Sequence, residues 1–212
     1  TEMGAGRKWA VVAVALAALA GVPSVARGGD DGQLLVAKGE IPEDRLVDVA
    51  IDLFSPGVKE GDPSPLLKKG IRAAVRKSES RYVPIHLRNT LQSTGQWGAV
   101  RVAPGGASWA EILVTGTITK SNGKDLAMRV TAKDASGRVW VDRDYKQGAD
   151  TAAYAKDRPV DGRDPFQALY NRIANDLVRA RDKRKPAELV EMREVARLRF
   201  AARRAGLPVV GG

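Results

Sequence analysis

Two aspartates, Asp142 and Asp144, stand two residues apart in a segment that is predicted to be a strand. Side chains at positions i and i+2 of a strand point to the same face, so the two carboxylates would be neighbours. Paired carboxylates can perform acid–base chemistry or bind calcium. Arg138, Arg143 and Lys146 lie close by in the sequence and favour a solvated, ion-paired strand face instead. We therefore assign no catalytic role to the pair.

Metal and nucleophile chemistry is limited by the residue types present. The sequence has no cysteine and a single histidine, His86, so thiolate nucleophiles, disulfides and the usual zinc or copper ligand sets are not expected. His86 follows Pro84 on a predicted helix, where it is typical of a surface or boundary histidine. Motifs for phosphate loops, dinucleotide binding, serine hydrolases and zinc proteases are not found. We predict a protein that is not an enzyme and has no cofactor and no metal.

Basic residues concentrate towards the C-terminus. Between Arg172 and Arg204 the sequence holds eleven lysines and arginines against five acids. Residues 187–204 have helical periodicity, and Arg193 and Arg197 share one stripe with Arg204. A cationic amphipathic helix can bind an anionic membrane surface or an acidic partner, whereas a solvated helix with internal ion pairs is the alternative. We take Arg193, Arg197 and Arg204 as candidate partner-binding residues.

Trp140 is the fourth candidate partner-binding residue. It shares its predicted strand face with Asp142 and Asp144, while Val139 and Val141 alternate to the opposite face. Such a tryptophan is either an exposed contact for a partner or a core residue in a different strand register. The sequence leaves both alternatives open.

The charge and the first residues of the sequence predict the compartment. The 212-residue chain has a formal net charge of +10, which by itself suits nucleic acid, anionic lipid or an acidic polymer. Arg7 and Lys8 precede a short apolar run, and Ser24 and Ala26 then have the spacing of a cleavage site. This pattern predicts a signal peptide that is cleaved after Ala26, and a periplasmic protein that does not bind nucleic acid. An uncleaved anchor is the alternative, although the run is shorter than the roughly 20 residues of a spanning helix.

Residues 110–145 predict three consecutive antiparallel strands, because apolar and polar residues alternate with period two. Asn122 and Gly123 between the first two strands are expected to form a type I′ turn with positive φ at both positions. Asp134 and Gly137 are expected to begin and end a type I turn. The residues expected on the buried face are Ile112, Val114, Ile118, Leu126, Met128 and Val130.

The other predicted elements surround this meander. They are a strand at 46–54, a helix at 66–94 that is kinked or broken at Pro84, a short strand near Val100, a helix beginning at Asp164-Pro165, and the basic helix at 187–204. The helix at 66–94 is expected to carry an apolar stripe that includes Val75 and Tyr82.

This order predicts an α+β fold. The sheet is mainly antiparallel (strand-helix-strand followed by a three-strand meander), is covered by helices on one face, and is followed by two C-terminal helices. The expected division is a signal peptide at 1–26, a flexible leader at 27–45, an α+β sandwich domain at 46–183, and a basic C-terminal helix and tail at 184–212.

Three segments carry a resemblance to known families: the helix end LRNTLQSTGQWGAVRV, the strand AEILVTGTI and the hairpin LAMRVTAKDASGRVW. Over about residues 44–180 the chain resembles the envelope domains of the curli-secretion lipoprotein, of the amino-terminal part of TolB, and of the lipoprotein activators of penicillin-binding proteins. The lack of cysteine departs from the lipoprotein members and argues against a lipid anchor. The resemblance implies a non-enzymatic envelope protein and transfers no functional residue.

The expected function is therefore that of a non-enzymatic periplasmic adaptor or assembly factor, which binds another envelope protein or an anionic envelope surface. Two alternatives stay open. One is a periplasmic hydrolase with a carboxylate site at Asp142 and Asp144, and the other is an uncleaved, membrane-anchored structural protein. The oligomeric state is not predicted.

Overall fold

The computed structural model describes residues 32–57, 73–105, 107–150 and 164–207. The predicted signal peptide, the beginning of the predicted leader and the first part of the predicted helix at 66–94 lie outside the described residues. Within those ranges, no helix is both long enough and apolar enough to cross a membrane.

The described residues form one five-stranded sheet and three α-helices. The strand order is β2-β1-β3-β4-β5, and a 3₁₀ turn, Glu43–Arg45, precedes β1. The predicted α+β class is confirmed. In chain order the elements are β1 (Val49–Ile51), α1 (Ala73–Ser93), β2 (Val100–Val102), β3 (Ile112–Ser121), β4 (Asp125–Asp134), β5 (Val139–Gly148), α2 (Gln167–Asp182) and α3 (Pro186–Arg204).

The sheet combines parallel and antiparallel pairs because its connections differ in length. β1 pairs in parallel with both β2 and β3. Parallel neighbours need a crossover, and α1 supplies it between β1 and β2. β3, β4 and β5 follow one another through short turns and pair antiparallel. The predicted meander is therefore the long half of the sheet, and the parallel strands extend it on one side.

The core lies between one face of the sheet and the helices. The six residues expected on the buried face of β3 and β4 are all buried, which confirms the period-two prediction. The opposite face carries threonines and charged residues that are exposed or half-buried. Helix residues in the same hydrophobic cluster include Leu87, Leu91, Leu169, Ile173, Leu177 and Leu189.

Helix α1 buries the second half of its predicted apolar face but not the stripe expected in its first half. Val75 and Tyr82 were expected on the apolar stripe, but their side chains are 48% and 50% exposed. Arg76 is buried instead, and its Nη1 donates a hydrogen bond to the carbonyl of Ile118 at 3.0 Å. A buried arginine needs such an acceptor, and the acceptor comes from a distant strand. Pro84 lies inside this one continuous helix.

The turn between β3 and β4 is shifted by one residue from the predicted type I′ turn. The N–H of Asn122 donates to the carbonyl of Asp125 at 3.2 Å, which leaves Gly123 and Lys124 as the loop residues. Gly123 has a φ of 79°. The carboxamide oxygen of Asn122 accepts the N–H groups of Lys124 and Asp125 at 3.0 and 2.7 Å. Asn122 therefore stabilises the turn through its side chain. The part of the prediction that is confirmed is the positive φ at Gly123.

Residues 32–37, within the predicted flexible leader, run along α2. The side chain of Asn175 is buried. Its Oδ1 accepts the N–H of Leu35 at 2.8 Å and its Nδ2 donates to the carbonyl of Gln33 at 2.7 Å. Asn171 donates to the carbonyl of Gly32 at 2.5 Å. Side-chain amides thus satisfy this backbone, and a composition rich in glycine and charge does not reveal such partners.

Helix α3 joins the same core as the rest of the domain. Leu189, Met192 and Ala196 are buried, whereas Leu198 is 70% exposed. The steps of three and four residues from Leu189 to Met192 and from Met192 to Ala196 average close to 3.6 residues per turn and keep the three side chains on one face. The apolar side of the predicted helix therefore packs on the domain over its first half.

Candidate partner-binding cleft

A cleft of 830 Å³ opens between α3 and the 3₁₀ turn. Arg193, Arg197 and Phe200 form its α3 wall. Two of the three candidate arginines on α3 therefore lie in one concave surface. We call it the α3 cleft; its complete lining is Glu43, Asp44, Leu46, Asp48, Gly98, Trp109, Glu111, Arg193, Ala196, Arg197 and Phe200.

Arg193 forms the inner end of the α3 wall, and its donors are used inside the protein. Its Nε lies 2.8 Å from Oε1 of Glu111, and its Nη2 donates to the carbonyl of Leu46 at 2.8 Å. Glu111 is 7% exposed, and its Oε2 accepts the N–H of Asp48 at 3.0 Å. A buried carboxylate needs both a charge partner and hydrogen bonds. Arg193 therefore holds α3 against the segment before β1.

The outer end of the α3 wall offers its side chains to solvent. Arg197 makes no hydrogen bond or ion pair with the described residues and is exposed. Phe200 is 42% exposed, and the guanidinium of Arg204 lies 5.9 Å from the centroid of its ring. The spacing of 193, 197, 200 and 204 keeps the four residues on one helical face. The stripe predicted for the three arginines is thus real, with Phe200 as a member that the charge pattern missed.

Acidic residues and a tryptophan form the opposite wall. Glu43 and Asp44 are exposed on the 3₁₀ turn. Asp48 is used structurally, because its Oδ1 accepts the N–H of Ala99 at 2.7 Å. Trp109 is half-buried. Within the described ranges, the cleft therefore combines the carboxylates of Glu43 and Asp44 and the guanidinium of Arg197, which have no ion-pair partner there, with aromatic side chains.

Trp140 is a core residue, and the structure does not bring it to the α3 cleft. It is 9% exposed, and its Nε1 donates to Oδ2 of Asp134 at 2.9 Å. The strand register shifts between Ala132 and Lys133, where β5 holds Trp140 as an extra residue. This bulge buries Trp140 and exposes Val139, which corrects the predicted strict alternation. A turn that starts at Asp134 and ends at Gly137 was predicted, and a 2.9 Å hydrogen bond from the N–H of Gly137 to the carbonyl of Asp134 closes it.

The carboxylates of Asp142 and Asp144 share one arginine from the neighbouring strand. Arg129 lies 2.9 Å from Asp142 and 3.1 Å from Asp144. The hydrogen bond from Arg129 holds the pKa of Asp142 below its ordinary value, and the same contact raises the pKa of Arg129. The pairing partner is therefore cross-strand, whereas Arg138 and Arg143, which are nearer in sequence, pair with Glu191 and Asp176.

His86 has the boundary position that the sequence predicted. Its ring lies 4.0 Å from that of Tyr82 and 5.7 Å from that of Tyr170, and its Nδ1 is 3.6 Å from Oδ2 of Asp164. Among the described residues, no three His, Cys, Asp or Glu side chains come together in a group that could hold a metal.

Comparison with known proteins gives distant structural similarity only. No family model matches the sequence, and no curated protein matches it. A variant of PelC from Paraburkholderia phytofirmans, solved as a dodecamer, is similar at 15% identity and a TM-score of 0.40, over 63% of this chain and 89% of that one. A Xanthomonas campestris protein of the family DUF330 is similar at 13% identity and a TM-score of 0.34, over 68% of this chain and 90% of that one. At these scores the alignments carry no argument about function.

Proposed function

We propose that this protein is a non-enzymatic adaptor or assembly factor of the cell envelope, and that it binds another envelope component in the α3 cleft. The observation that carries the proposal is the cleft itself. It is concave and open, and it places Trp109 and Phe200 beside an arginine and two carboxylates that form no ion pair with the part of the chain that the structure describes. Tryptophan, phenylalanine and arginine are enriched at the centres of protein interfaces.

The charges of the cleft favour a partner that carries both signs. Glu43 and Asp44 on one wall suit a basic group, and Arg197 on the other suits an acidic group. A polypeptide that presents both signs around an apolar anchor would satisfy the two walls together. The periplasmic location in this proposal depends on the predicted signal peptide. In a second form of the proposal, Arg197 and Arg204 bind an anionic envelope surface.

Site-specific photocrosslinking in intact cells tests the proposal. A photoreactive residue replaces Phe200 in the cleft, or Val139 as a control, since Val139 is 49% exposed and lies outside the cleft lining. We expect a discrete adduct from position 200 and none from position 139. Its mass-spectrometric identification should give an envelope protein.

A charge reversal makes the crosslinking specific. Arg197→Glu should abolish the adduct from position 200, because it replaces a guanidinium of the cleft that has no partner among the described residues with a negative charge. Arg203→Glu is the matched control, since Arg203 is an exposed residue of the same helix outside the lining. Equal adducts from positions 200 and 139, or an adduct that survives Arg197→Glu, would contradict the proposal.

A further inference from the structure

A second concave surface lies between α2 and β5, with a volume of 410 Å³. Four of its residues are basic and two are acidic, which contrasts with the acidic majority in the α3 cleft. We call it the α2–β5 groove; its lining is Trp140, Val141, Asp142, Arg143, Asp176, Arg179, Ala180, Lys183 and Arg184.

The two carboxylates of the groove already have internal donors. Oδ2 of Asp176 accepts from Arg143 and from the hydroxyl of Tyr145, both at 2.8 Å. Burial, with a further contribution from Asp176, raises the pKa of Tyr145, so its hydroxyl stays protonated. Asp142 is held by Arg129 on the open face of the sheet. Neither acid is therefore free to neutralise Lys183 or Arg184.

Arg184 packs against Trp140, but its guanidinium donors have poor hydrogen-bond acceptors. Its guanidinium carbon lies 5.4 Å from the centroid of the Trp140 ring, and Trp140 is itself fixed by Asp134. The Nε of Arg184 is buried and has no hydrogen-bond partner in the described ranges. Among the described residues, its terminal nitrogens reach the carbonyl of Val139 at 3.5 Å and Glu188 at 3.9 Å and no other acceptor. A guanidinium has five donors, so this one lacks good acceptors.

Lys183 stands beside Arg184 at the end of α2. Its ammonium is exposed and makes no hydrogen bond or ion pair with the described residues. Cations at a helix C-terminus favour the helix dipole, which accounts for basic residues there. The dipole does not account for the terminal nitrogens of Arg184, whose acceptors among the described residues are distant, or for the concave surface beside them. Both features are accounted for by an anion between Lys183 and Arg184.

We infer that the α2–β5 groove binds a phosphoryl group, whether of a free phosphate compound or of a lipid headgroup. A phosphoryl group offers several acceptor oxygens and up to two negative charges, which match the forked donors of Arg184 and the point charge of Lys183. The groove is separate from the α3 cleft, and this inference does not depend on the adaptor function.

Calorimetric titration of the full chain with pyrophosphate at low salt is the first test. We expect saturable binding that weakens at least about tenfold in Lys183→Gln/Arg184→Gln, because two charge-assisted contacts are lost. Lys77→Gln/Arg81→Gln removes the same charge from exposed positions of α1, outside both concave surfaces, and should bind within about twofold of the wild type. Arg184→Gln could lower binding by disturbing the packing of Trp140. The single variant Lys183→Gln tests the inference without that effect, because Lys183 is exposed.

Co-sedimentation with phosphatidylglycerol and phosphatidylcholine vesicles separates the two sources of the phosphoryl group. Binding to phosphatidylglycerol that pyrophosphate displaces, and that Lys183→Gln weakens, supports a lipid headgroup. Pyrophosphate binding without vesicle binding supports a soluble phosphate compound. The inference is overturned if the wild type binds neither probe at millimolar concentration, or if both double variants lose pyrophosphate equally.

Discussion

Two arginine–carboxylate clusters in this protein use the same chemistry at different depths. Arg193 contacts Glu111 at 2.8 Å, and Arg129 contacts Asp142 at 2.9 Å. Glu111 is buried and Asp142 is exposed. Removing one partner of a buried pair strands a charge away from water, whereas an exposed charge exchanges its partner for water. Contact distance alone therefore does not show which pair the fold needs.

The largest effect is expected for Glu111→Gln, which removes the buried charge of the Arg193 cluster. We expect the free energy of unfolding, measured in urea, to fall by about 3 kcal/mol. Arg193→Gln should give a similar loss. The double variant should lose less than the sum of the two, because the partners contact each other. Additive losses, or a loss below about 1 kcal/mol for Glu111→Gln, would show that burial does not make this pair important for stability.

Gly123→Val tests whether a substitution at an exposed position lowers the free energy of unfolding when it strains the backbone. The φ of 79° at Gly123 disfavours a β-branched residue, and we expect a loss of about 1–2 kcal/mol. Lys133→Val, at an exposed strand position, is the control and should be nearly neutral. Equal thermal midpoints for the wild type and Gly123→Val would mean that the turn tolerates another geometry.

Asp142→Asn combined with Asp144→Asn should barely change stability. We expect the thermal midpoint at pH 7 to move by no more than about 2 °C, because water replaces the contacts of an exposed pair. The pKa of Asp142 is lowered in the folded protein, so its small contribution is present above about pH 4 and is lost on further acidification. The difference between wild type and variant should therefore vanish near pH 2. A hydrolytic activity of the wild type that this variant lacks would instead favour the hydrolase alternative.

Arg197→Gln combined with Arg204→Gln should leave stability unchanged and reduce only binding. Low-salt co-sedimentation with envelope fragments should weaken, and the wild-type binding itself should fade by a few hundred millimolar salt, since screening acts within about 8 Å at physiological ionic strength. Arg193 is omitted from this variant because its structural contacts would confuse the result. Unchanged low-salt binding would show that the stripe is only a solvated helical face.

Local periodicity was sufficient to predict most of the fold. The alternation of Ile112, Val114 and Ile118 and of the β4 residues is a property of neighbours in the chain, and the structure confirms it. The helix that ends at Ser93 and the helix that begins at Pro186 agree to within one residue with the predicted helix end at 94 and the predicted helix start at 187. The candidate stripe of Arg193, Arg197 and Arg204 was also visible, because it depends only on helical spacing.

Tertiary structure decided what those side chains meet. The bulge at Trp140, the burial of Arg76 under Ile118 and the contact between Arg193 and Glu111 each join residues that are distant in the sequence or depend on strand register. The same holds for the α3 cleft, whose acidic wall lies about 150 residues before its basic one. Spacing within one element sets the direction of a side chain, whereas its depth and its partner are set by the packing of elements that no local pattern describes.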